Sequence, residues 1–290
     1  MRAGSRHGGD AVFRPSAAMG VFRVMLRAAV AVTTLPASAI ELPPPDRLAA
    51  ETGMSTQTVE VVEPHMSRPG HELRVAYRGF EMSGLLDRFF GDRWKATGTE
   101  VVFLARDGYR SSTDSRRFVP GSAWLAFGRA DSKPFTVDNP GQHETGVSLG
   151  PYYLVWDNLR DSAARAQGAY GWPYQVVRID LATPADYAAA RPQDSDPVAV
   201  EGFEQVRKYC LTCHQVAGIG GGKFPGDLRQ IAGPLSDRAL KTWITEPQKM
   251  HAGTTMPPLN ALLPEAERDR AADAIIRYLR MMPVRDGTTP

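Results

Sequence analysis

Only two cysteines occur in the 290 residues, and they stand three apart with a histidine directly behind them: Cys210-Leu211-Thr212-Cys213-His214. No other feature restricts the local fold so tightly. Two thiols on one turn can each bond a vinyl group of haem while the following residue reaches the iron, so the backbone must bend around a flat apolar group. Competing uses of the pair fit less well. A structural zinc needs four nitrogen or sulfur ligands, and the chain has no second pair of thiols. A thioredoxin-like dithiol needs a βαβ setting, whereas the surrounding pattern is helical and the histidine would be accidental. A disulfide between residues this close would shut only a small loop and gain little stability. The motif is read as one covalently attached haem c, with His214 as an iron ligand.

A second axial ligand is expected from further along the chain. Met256, in Thr254-Thr255-Met256-Pro257-Pro258, is the favoured candidate, because a loop methionine pinned by prolines is poorly placed as ordinary core filling. Met250 and His251 are nearby alternatives, and an open iron is another. The expected site is therefore Cys210, Cys213, His214 and Met256, with His214 and Met256 on the metal.

The formal charge of +2 comes from the beginning of the chain. Setting aside the five arginines (2, 6, 14, 23 and 27) and the one aspartate (10) before residue 40 turns +2 into −2. A slightly acidic remainder lacks the basic footprint of a nucleic-acid binder, so nucleic acid is dropped as a partner. Met25 to Ala39 is mostly small and apolar, follows Arg23 and Arg27, and closes on Ala37-Ser38-Ala39. This resembles an export signal cleaved near Ala39, and it is too short to anchor the protein in a membrane. Met19 is an alternative start. The expected location is the periplasm, in soluble form with no stable membrane anchor.

A hydrophobic content of 42% supports one large core or two modest ones, and two units are expected. Residues 1–39 are taken as the signal peptide and 40–55 as a linker. Residues 56–182 are a mixed α+β domain, with strands at Thr58–Val62, Leu73–Tyr77, Thr99–Ala105, Ser122–Phe127, Tyr152–Trp156 and Gln175–Leu181. Within it, Met82, Leu85, Leu86 and Phe89 make one helical face over Glu81–Phe90. Residues 183–196, rich in Ala, Pro, Asp and Gln, form a linker. Residues 197–283 are helical. One helix starts with Asp196 as N-cap and Pro197 at N1, a second with Ser236 as N-cap, and a last one at Pro264, ending by Pro283. Residues 284–290 form a tail.

In their order, helix, C-x-x-C-H, loop, helix, Met-Pro loop and closing helix, residues 197–283 resemble a class I cytochrome c. The resemblance implies an all-α domain in which Gly202 admits the Tyr278-Leu279 pair of the last helix. It also implies a backbone carbonyl, from Pro225 or Gly233-Pro234, that accepts from the ring N–H of His214. Val206 replaces the family's aromatic residue before the first cysteine, with Phe203 nearby. Residues 56–182 are similar to the molybdopterin-binding domain of the sulfite oxidase family at Asp107-Gly108-Tyr109, Trp124-Leu125-Ala126-Phe127 and Leu149-Gly150-Pro151. The family's metal-binding cysteine is missing and Tyr153 stands where its arginine is usual, so no molybdenum is expected.

These readings imply a periplasmic monohaem c-type cytochrome that transfers single electrons, with an N-terminal partner-docking domain. Redox partners would be a molybdoenzyme or dehydrogenase and a downstream cytochrome or oxidase. The alternatives are a haem oxidoreductase, or a subunit of one, acting on a small substrate, and a haem-based ligand sensor. No catalytic constellation stands out. Trp156, Tyr170, Trp172 and Tyr174 read as core more than as a binding surface, and His65, His71 and His143 with Glu144, which could be grouped as a metal site, read as surface or loop residues because nothing in their spacing demands a metal.

Overall fold

The computed structural model describes residues 39–283 apart from 69, 194–195 and 261–262. The expected export segment up to residue 38 and the 284–290 tail lie outside the described residues.

The first elements of the described residues are β1 (Ile40–Glu41) and α1 (Pro45–Thr52), whose Pro45 occupies the first helical position. Strands β2 (Gln57–Val62) and β3 (Arg74–Glu81) follow, and then α2 (Met82–Phe90). Glu81 caps α2 by accepting from the amides of Ser83 and Gly84. Next come β4 (Glu100–Ala105), β5 (Arg110–Asp114), β6 (Ala123–Arg129), β7 (Thr136–Asn139), β8 (Glu144–Ser148) and β9 (Tyr153–Trp156). The short α3 (Ser162–Ala166) and β10 (Val176–Ala182) complete this part. The remainder comprises α4 (Pro197–Gln205), β11 (Gln215–Val216), β12 (Ile219–Gly220), α5 (Leu228–Ala232), α6 (Asp237–Thr245), α7 (Pro247–Met250) and α8 (Glu265–Met281).

Every strand pair is antiparallel. One four-stranded sheet has the order β1-β10-β4-β5, another the order β2-β3-β6-β9, and β7-β8 and β11-β12 are two-stranded.

Strand β4 explains how the sheets and the later helices share a fold. Val101 and Phe103 point into one core, with Tyr77, Phe80, Leu125, Tyr153 and Trp156. Val102, on the opposite face, belongs to the other core, with Phe203, Leu240, Ile275 and Tyr278. A strand that is apolar on both faces needs cover on both sides. The helices supply the second cover.

These observations correct the expected fold of an α+β domain followed by an all-α class I cytochrome c domain. The described residues belong to one compact unit, and antiparallel sheets curled into a half-barrel dominate it. The region after residue 197 is not all-α, since it contains the β11-β12 hairpin. Nor are the expected linkers mere spacers. Residues 45–52 form α1, and Tyr187 and Ala190 are buried in the second core. Tyr187 donates to Glu100 of β4 at 2.6 Å, and the hydroxyl of Tyr278 in α8 donates to the carbonyl of Ala190.

Helices α4 and α8 cross at Gly202. A Cβ there would sit 2.0 Å from the carbonyl oxygen of Ala274 and 2.8 Å from Cβ of Tyr278, so only glycine permits the approach.

Candidate functional site

Helix α4 does not end before the cysteines; it widens. Val206–Cys210 continue it as a π-helical turn, in which the amide of Leu211 donates to the carbonyl of Val206 at 2.9 Å. Such bulges often mark functional sites, because the extra residue re-aims the side chains that follow. The next turn is held by the amides of Cys213 and His214, which donate to the carbonyl of Cys210 at 3.1 and 2.9 Å. The chain then reverses through Ala217 and Gly218, both at positive φ (54° and 78°), between β11 and β12. Paired positive φ angles match the twist of a two-residue hairpin.

This loop is gripped by the sheet half. Asp107-Gly108-Tyr109 is the turn between β4 and β5, and its neighbours reach the cysteine loop through backbone hydrogen bonds. The amide of Arg110 donates to Thr212 at 2.8 Å, and that of Gly222 donates to Gly108 at 2.9 Å. Gly221 is wedged in the junction, where a Cβ would lie 2.2 Å from the carbonyl oxygen of Thr212. Lys223 and Asp107 close it with an ion pair at 2.9 Å.

Cys210, Cys213, His214 and Met256 all line one cavity of about 610 Å³. Much of its wall is apolar, with Leu240, Trp243, Ile244, Ile275 and Leu279 contributed by α6 and α8. Met250 and His251, the alternative ligands, are exposed and do not line it. The sheet half closes the cavity with Tyr109, Tyr170, Trp172 and Tyr174. Of the aromatic residues expected mainly as core, Trp172 is buried and still lines the cavity, while Trp156 is core alone.

Electrostatics at the site follow from burial. Both thiols are free, and burial, with the neighbouring Cys213, pushes Cys210 up to about 12. Cys213 is also raised, by burial against a lowering hydrogen bond from Thr212. Both are therefore thiols at neutral pH, the form that carries the hydrogen needed for addition across a vinyl group. Burial pushes His214 below its ordinary range, which keeps the imidazole neutral and free to ligate a metal. Phe224 stacks on the ring of His214, with centroids 5.5 Å apart. The carbonyl expected from Pro225 or Gly233-Pro234 does not reach this ring, since Nδ1 of His214 is buried without a hydrogen-bond partner.

Among the described residues, no three or more His, Cys, Asp or Glu side chains group as a metal site. A metal held here would take its remaining ligands from a prosthetic group.

Sequence reasoning missed a second polar constellation on the same cavity. His65, read as a loop residue, is almost entirely buried, and its Nδ1 lies 2.9 Å from Oε1 of Glu63. Glu63 is fully buried and also accepts from the hydroxyls of Tyr77 at 2.7 Å and Tyr153 at 3.1 Å. The only local signal was Glu63-Pro64-His65 directly after a strand. Tyr77 comes from the neighbouring strand β3, and Tyr153 from β9, far away in sequence.

No protein-family model matches the chain, and a search of curated proteins gives no match. The functional reading therefore rests on the chemistry of the site.

Proposed function

We propose that this chain is an exported c-type haem protein that passes electrons one at a time between redox partner proteins. The observation that carries the reading is the single cavity whose walls bring together Cys210, Cys213, His214 and Met256. The two thiols would hold the porphyrin through thioether bonds, and His214 and Met256 would be the residues that ligate its iron. Haem, when bound, supplies a one-electron iron couple whose potential is tuned by its ligands and by burial. The residues present fit such a group: a roomy apolar cavity, two protonated thiols on one turn and a neutral imidazole.

The chain's own contribution is to bind, orient and keep water away. Leu240, Ile244, Ile275 and Leu279 offer an apolar wall, and Phe224 limits rotation of the His214 ring. The sheet half serves as the opposite wall of the cavity, and its outer face is the proposed docking surface. The partners in this reading are a molybdoenzyme or dehydrogenase upstream and a cytochrome or oxidase downstream. No nucleic acid or molybdenum takes part. Among the described residues, no helix is long and apolar enough to cross a membrane.

Ligand titration of the purified haem protein tests the carrier reading. Carbon monoxide on the reduced form and azide on the oxidised form should bind weakly to the wild type and readily to Met256→Ala. Tight binding of either ligand by the wild type would remove the basis for a closed carrier and favour a sensor or an enzyme.

A further inference from the structure

A second cleft, of about 310 Å³, opens between the end of β5, the residues after α3 and the π-helical turn that carries α4 into the cysteines. Arg117, Lys208 and Gln205 line it and do not line the larger cavity, whereas Gln167 and Tyr170 stand on the border and line both. The cleft is thus a space apart from the one assigned to haem.

Its charges are unequally matched. Three carboxylates lie on its wall, and each already has a cation: Glu100 takes Arg207 at 2.7 Å, Glu204 takes the same Arg207 at 2.8 Å, and Asp114 takes Arg116 at 2.5 Å. Glu100 also accepts from the hydroxyl of Tyr187 at 2.6 Å. Two cations are left over. Among the described residues the guanidinium of Arg117 makes no hydrogen bond or ion pair, and it lies over the ring of Trp156, 4.4 Å from the centroid. The ammonium of Lys208 likewise meets only rings, those of Tyr170 at 5.2 Å and Tyr209 at 4.9 Å. Asp161, a further carboxylate whose charge reaches Arg117, is taken up as the N-cap of α3 by the amides of Ala163 and Ala164. Arg117 is half-buried, and burial pulls its pKa below the ordinary arginine value. A guanidinium that has lost part of its water without gaining an acceptor keeps its N–H donors unused. The side-chain amide of Gln205 also has no hydrogen bond among the described residues.

The donor set narrows the ligand. A guanidinium fork takes two oxygens of one anion side by side, and an ammonium takes a further oxygen as a point charge. A monocarboxylate has only two oxygens and one charge to offer. A phosphate has oxygens for the fork, the ammonium and an amide together, and a second charge to match the second spare cation.

We propose that Arg117 and Lys208, with Gln205, form a binding site for a small phosphate dianion. This goes beyond the haem reading and does not rest on it, because none of the three residues lines the cavity assigned to haem.

Isothermal titration calorimetry on the purified full chain tests this with inorganic phosphate, with nitrate as a monoanion and with succinate as a two-ended dicarboxylate. The wild type should bind phosphate at one site and about tenfold more tightly than nitrate, the worth of one further charge-assisted hydrogen bond. Lys208→Gln, a change at an exposed side chain, should weaken phosphate about tenfold, and Arg117→Gln should weaken it at least as much. Arg238→Gln, which removes an exposed cation outside the cleft, should leave the affinity unchanged. Near-ultraviolet dichroism confirms that each variant is folded; should Arg117→Gln fail to fold, Lys208→Gln decides alone. No phosphate binding, equal binding of nitrate, tighter binding of succinate than of phosphate, or an unaltered phosphate affinity in Lys208→Gln would each overturn the proposal.

Discussion

Replacing Gly202 by alanine adds a single methyl group at the tightest helix crossing in the chain. The new Cβ would lie 2.0 Å from the carbonyl oxygen of Ala274, 2.6 Å from its carbon and 2.8 Å from Cβ of Tyr278. Non-bonded carbons sit about 3.5–4.0 Å apart, so the helices would have to separate by roughly 1 Å or more. Neither neighbour can yield cheaply. Ala274 offers backbone inside α8, and Tyr278 is fully buried with its hydroxyl tied to Ala190. Overpacking of this kind costs up to about 3 kcal/mol. Alanine recovers about 1 kcal/mol of helix propensity over glycine. The net loss is therefore about 2 kcal/mol, which for a chain of this size lowers Tm by about 4–8 °C. Thermal unfolding followed by circular dichroism measures it, with exposed Val200→Ala on the same helix as a control expected to stay within about 0.5 kcal/mol of the wild type. An unchanged or raised Tm for Gly202→Ala would refute the argument from the crossing.

Gly221→Ala should loosen the junction between the sheet turn and the cysteine loop, at a cost of about 2 kcal/mol; hydrogen exchange at the Arg110 amide, bonded to Thr212, should speed up. Glu63 has a depressed pKa in the folded state, so its stabilising contribution is fully present above the ordinary glutamate value of about 4.3 and is lost as pH falls further. Urea unfolding as a function of pH should show this loss in the wild type, and the stability gap to Glu63→Gln should narrow below about pH 4; a constant gap would mean that the carboxylate charge is not what the network stabilises.

Much of the sheet half was legible because its strands are rich in valine and aromatic residues. All six expected strands occur, with ends shifted by a residue or a few, and α2 lies where Met82, Leu85 and Leu86 predict it. Phe89 of that expected face is only half-buried, and Phe90 takes the core position. Strand β5 escaped notice because its inward residues, Ser111 and Thr113, are small and hydroxylated, so the alternation carries no hydrophobic signal. The two-domain expectation failed for a different reason. Tyr187 and Ala190 bound a four-residue Tyr-Ala-Ala-Ala run that is too short to show periodicity, yet each packs against elements distant in sequence. The run Val101-Val102-Phe103-Leu104 held the missing clue, since an uninterrupted apolar strand asks for cover on both faces. At the site, the C-x-x-C-H spacing and the Met-Pro loop were readable from local order. The Glu63–His65 pair was not, because its identity as a buried network depends on Tyr77 and Tyr153, which only the fold brings near.

The central claim is covalent attachment of haem through Cys210 and Cys213. Its most direct test is a haem-stained denaturing gel, with intact mass, of the wild type and the Cys210→Ser/Cys213→Ser variant, both produced in cells able to mature c-type haem. The wild type should keep its stain through boiling in detergent and weigh one haem more than the mature chain, while the variant runs unstained at the mass of the polypeptide alone. A wild type that loses its haem on denaturation, or a double variant that retains it, would contradict the account.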